Sequence, residues 1–100
     1  MMNFEELDYN ITNWANDKGL LFNSNHPRQF MKVMEELGET SKAVLKYDEH
    51  GIIDGIGDTF VTLIILSRQL GLDPVECLNV AWNEIKDRTG NTIDGSFIKD

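Results

Sequence analysis

The stretch from Ile56 to Leu70 constrains the fold more than any other part of the chain. Ile56, Phe60, Val61, Leu63, Ile64, Ile65 and Leu66 put apolar groups on nearly every side of a helix, and a helix apolar all round is packed all round. Asp58 interrupts it. With Asp54 one turn earlier and Thr62 one turn later, it forms a polar seam on one face. A carboxylate in an apolar setting is costly unless a cation or hydrogen-bond donors meet it. One hundred residues bury only a modest core as one domain, so a fully wrapped central helix calls for a homo-oligomer.

Around that helix the chain reads as all-α: a four-helix, bundle-like arrangement within a single domain, residues 1–100. Asn3 to about Lys18 carries Phe4, Leu7, Ile11, Trp14 and Ala15 at helical spacing, and Gly19 is its stop. Leu20 to His26 is a loop rich in Asn and Ser. Pro27 suits the first turn of a second helix, which runs to about Tyr47 along the stripe Phe30, Val33, Met34, Leu37, Val44 and Leu45. Tyr47 to Ile53, with Gly51, reads as a connector, and Gly71 closes the central helix. Asp73-Pro74-Val75-Glu76 is a strong start signal, with an N-cap, a first-position proline and a glutamate placed for a capping box. That fourth helix runs to about Arg88, with Val75, Leu78, Ala81, Trp82 and Ile85 inward. Thr89 to Asp100 reads as a polar tail without a strand period, its Ile93, Phe97 and Ile98 left to dock on a neighbour.

Charge narrows the partners. A formal net charge of −8 argues against nucleic acid or an anionic membrane and suits divalent cations, or a substrate that carries one. The single cysteine, Cys77, allows no internal disulfide and fits a reducing cytoplasm. Asn3 to Asp8 is polar and acidic where a signal peptide needs an apolar core, and the unbroken apolar runs are far short of a membrane span.

The second helix offers a partner for Asp58. Glu36 and Glu39 lie three apart on one face, with Lys32 one turn before. The glutamates are either an ordinary solvated face or, with Asp58, an oxygen cage suited to Mg²⁺ or Mn²⁺. Gly38 favours the cage. A mid-helix glycine costs about 1 kcal/mol against alanine, which implies that another backbone or a ligand comes close.

Glu35-Glu36-Leu37-Gly38-Glu39 followed by Ile56-Gly57-Asp58 resembles the MazG-like, all-α nucleoside triphosphate pyrophosphohydrolases, whose pattern is EExxE and then ExxD. The likeness extends over most of the chain. Asn13-Trp14-Ala15, Lys18-Gly19, Gln29 and Lys32 look like the first half of short phage-type members. Asn83 to Arg88 and Gly95 to Lys99 look like the second. The resemblance implies Mg²⁺-dependent hydrolysis of a nucleoside triphosphate, possible substrates including a deoxy or modified one, to the monophosphate and pyrophosphate, with Glu35, Glu36, Glu39 and Asp58 catalytic. Where the family pattern has its second-motif glutamate, this chain has Gly55. Asp54 then either takes that ligand's place or acts as a cap or dipole partner for the central helix. Glu35 either holds a further ion or helps activate water, or is a surface charge.

Such chemistry needs divalent ions to neutralise phosphate oxygens, and positive groups at the far end of the phosphates. Lys86 and Arg88 are candidates, against simple pairing with their helix's C-terminal dipole. Lys32 is another, against an i to i+4 pair with Glu36. Asn83 resembles a family asparagine near the substrate and is otherwise a surface amide. Trp14 offers a stacking face for a base, against a place in the core. His26 and His50 have no catalytic spacing, and Cys77 is a packing residue. The competing reading is a non-catalytic, acidic helical interaction module in which Gly55 marks a degenerate metal site.

Overall fold

The computed structural model describes residues 1–22 and 25–100, so residues 23–24 of the expected Leu20–His26 loop lie outside the described residues. Helix α1 (Phe4–Asp17) opens on a capping box in which the Asn3 side chain accepts from the Glu6 amide and Glu6 accepts from that of Asn3. It closes at Gly19, φ 76°, where the Leu20 and Gly19 amides return to the carbonyls of Ala15 and Asn16. Helix α2 (His26–Leu45) ends in the same way around Tyr47, a non-glycine residue at φ 54°. The Asp48 amide reaches the Ala43 carbonyl at 3.0 Å, and the Asp48 carboxylate then accepts from the Gly51 amide at 3.1 Å. Helix α3 (Glu49–Gln69) therefore begins before the end of the expected Tyr47–Ile53 connector. The Asp48 cap outweighs the helix cost of Gly51. Helix α4 (Pro74–Ile85) has Asp73 as its cap and stops short of the expected Arg88.

The expectation of a strandless polar tail is overturned. Gly90–Ile93 (β1) and Ser96–Lys99 (β2) pair antiparallel, with Thr92 opposite Phe97 and Asn91 opposite Ile98. Asp94 and Gly95 both have positive φ, 51° and 80°, the geometry of the tight turn that Asp-Gly favours. The strands are too short for a period to show.

Helices α2 and α3 form an antiparallel hairpin, with Ala43 near Gly51, Thr40 against Gly55, and the Gln29 amide donating to the Thr62 carbonyl at 3.1 Å. Among the elements, α2 packs on α3 alone; α1 lies against α3 and α4. The buried apolar core is thin: Ala15, Val33, Ala43, Ile64 and Ile65. Asp8, itself buried, takes a 2.6 Å ion pair from Arg68, which also stands 3.9 Å from Asp73 and so ties α1, α3 and the start of α4. The central helix is not wrapped all round: Ile53 and Ile56 in its first half are 62 and 49% exposed, and Phe60 is 52% exposed. By length and mean hydropathy, 1.3 over an 18-residue window, α3 is the one described helix that meets the requirement for a membrane span. That helix contrasts with the short apolar runs of the bare sequence, since glycines and threonines dilute its apolar residues.

Candidate functional site: an acidic hollow between α2 and α3

The α2–α3 crossing opens into a hollow of about 340 Å³, with Glu36, Glu39, Asp54, Gly55 and Asp58 among its walls. Antiparallel packing explains the juxtaposition. Stepping back along α2 from Thr40 to Glu36 matches stepping forward along α3 from Gly55 to Asp58. Gly55 is the residue that permits this. A Cβ there would stand 2.9 Å from the Thr40 Cβ and closer still to the Thr40 hydroxyl, so no side chain fits. The position that the family pattern gives to a glutamate is thus a helix contact. Gly38, by contrast, faces open space on the far side of α2, so the close approach expected there is not made within the chain.

Asp58 is not the buried acid the sequence predicts. It is exposed at the rim, and the shielded acid is Glu36. Glu36 Oε2 is shut off from solvent and meets no hydrogen-bond donor among the described residues. Burial, then the Glu39, Asp58 and Glu35 carboxylates, push the Glu36 carboxyl above its ordinary range, and Lys32 offsets only part of this. Asp54, next to Gly55, faces His50 at 3.5 Å on the solvent side. Hydroxyls do not relieve the carboxylates: Thr40 donates to the Glu36 carbonyl at 2.7 Å and Thr59 to the Gly55 carbonyl at 2.7 Å.

All the donors are carboxylate oxygens, the type hard divalent ions take. Even so, among the described residues no three His, Cys, Asp or Glu side chains stand together closely enough to hold an ion as they are. Glu39 and Asp58 make no ion pair among the described residues and are exposed, hence free to turn. The remaining predicted residues are not brought to the hollow. Asn83 lies on α4, with Lys86 and Arg88 just past its end, and α4 does not approach α2. Trp14 is on the exposed side of α1, with the Lys18 ammonium 6.0 Å from its ring. Two cations that the sequence reading passed over do line the hollow, Lys42 and Lys46. Their spacing of three and seven from Glu39 puts them on its stripe, the signal that would have found them.

No family model matches the chain, and no solved structure matches it. It is similar to an uncharacterized 18.2 kDa protein from the rep-hol intergenic region of Haemophilus phage HP1 (strain HP1c1), with 41% identity over 75 residues, 75% of this chain. The chain spans 46% of the length of that phage relative.

Proposed function

We propose that the chain is a Mg²⁺- or Mn²⁺-dependent nucleoside triphosphate pyrophosphohydrolase of the MazG-like kind, acting in the cytoplasm as a homodimer or homotetramer. The observation that carries this reading is the orphaned Glu36 oxygen beside the Glu39 and Asp58 carboxylates. Like charges held together with no donor are stabilised by a cation. Glu36, Glu39 and Asp58 would hold the ion, Asp54 at most through its outer side. A bound divalent ion supplies neutralisation of phosphate oxygens and a lower pKa for the attacking water. The chain's own part is to orient that water from the free carboxylate oxygens, and to meet the outer phosphates with Lys42 and Lys46.

The second reading, an acidic interaction module without catalysis, is favoured by one specific observation: the acids do not converge. Two measurements separate the readings. Mg²⁺ at ten times its Kd should stabilise a true site by about 1.4 kcal/mol in a thermal melt. A panel of standard and modified (deoxy)nucleoside triphosphates should release pyrophosphate and monophosphate, and Glu39→Gln should abolish the release. Absence of both stabilisation by metal and hydrolysis of any of them would leave the binding module as the function.

A further inference from the structure

No Cα of β1 or β2 lies within 8 Å of a helix Cα. The hairpin nevertheless carries Ile93 and Ile98 on one face, 56 and 52% exposed, and Phe97 on the other at 51%. An isolated two-stranded hairpin is marginal in water and needs an apolar surface to pack on. Its base is fastened: the Asp100 amide donates to the Thr89 carbonyl at 3.1 Å and the Thr89 hydroxyl donates to the Asp100 carboxylate at 2.9 Å. The two strands are thus joined at both ends, and Lys86–Arg88 connects them to α4.

An apolar surface of the right kind lies between α1, α3 and α4. Phe4, Phe60, Leu63, Pro74, Cys77 and Leu78 wall a hollow of about 280 Å³. A cavity of about 150 Å³ takes a benzene ring, so this one accommodates a pair of aliphatic side chains. The chain's own hairpin leaves it open. The area left uncovered fits a second copy. The chain exposes 7823 Å², where a compact monomer of 11.4 kDa exposes about 5,800 Å². The excess, about 2,000 Å² per chain, is in the range of large, stable dimer interfaces. The Cα radius of gyration, 15.9 Å against about 13 Å for a compact chain of this length, gives the same picture.

We infer that the hairpin is an exchanged arm, its Ile93/Ile98 face seated in the α1–α3–α4 hollow of a second copy of the chain. The inference does not depend on the hydrolase reading, and its tests read no activity. Cys77, the chain's one cysteine, lines the hollow and supplies a reporter. In the full-length Ile98→Cys variant, mild oxidation should give a covalent dimer whose linked peptides join position 77 of one chain to position 98 of the other. Thr92→Cys, on the opposite face of the arm, should cross-link at least tenfold more slowly. An intrachain 77–98 bridge, no bridge, or equal rates for the two variants would overturn the proposal. The Ile93→Asp/Ile98→Asp double variant should keep its helical circular dichroism while its solution mass falls from dimer to monomer. A dimer that persists in this variant would overturn the proposal as well.

Discussion

Glu36 carries the sharpest electrostatic conflict in the chain, because burial and three neighbouring carboxylates all oppose its ionisation. A carboxyl whose folded pKa is raised binds more protons in the folded than in the unfolded state. Its penalty is absent below the unfolded pKa and grows as pH rises toward the folded one. Glu36→Gln should therefore raise the metal-free melting temperature at pH 7, and the gain should vanish near pH 4. The same variant should lose the Mg²⁺-dependent part of the melt, so the two buffers report opposite signs. At Gly55 the argument is steric. Gly55→Glu would supply the glutamate of the MazG-like pattern but drives a side chain into Thr40 at the helix crossing. Overpacking of this sort costs about 1–3 kcal/mol in urea unfolding, and no rise in Mg²⁺ affinity should accompany it.

At the scale of elements, α1 and α4 hold to α3 by a thin apolar contact and one buried ion pair. Arg68→Met would leave the Asp8 carboxylate with only the Thr12 hydroxyl, at 3.0 Å, inside the contact. The loss should be on the order of 3 kcal/mol in urea unfolding, and adding Asp8→Asn should recover most of it. That pair was invisible in the sequence, since its members are sixty residues apart and neither shares a motif. The helices themselves were largely legible, because caps and stops are local: Gly19, Gly71 and Asp73 sit where the structure uses them. The pairing of Glu36 and Glu39 with Asp58 also lay within reach, through helical spacing on two neighbouring helices. What spacing could not say is which acid is shielded. That depends on the crossing at Gly55, which is a site of close packing against Thr40. The hairpin went unread because four-residue strands carry no usable period, although Asp94-Gly95 is itself a turn signal.

At the scale of the molecule, two opposing quantities would govern association of two copies. Each chain leaves about 2,000 Å² more surface uncovered than its mass requires, and apolar side chains on α3, α4 and the hairpin are prominent on it. Each also carries a formal charge of −8, so two copies repel. If apolar contact holds the copies together against that repulsion, melting must depend on concentration. A tenfold rise in protein shifts the association term by about 1.4 kcal/mol. Shared between two chains, that should raise the midpoint by roughly 3–5 °C. Salt then gives the sign of the electrostatic term. Raising NaCl from about 0.01 to 0.15 M shortens the screening length from about 30 to 8 Å, which weakens repulsion between like-charged chains and leaves apolar burial intact. The midpoint should therefore rise with NaCl at fixed protein concentration. A fall would mean that cross-chain ion pairs hold the copies together, and the apolar account of the interface would have to be abandoned.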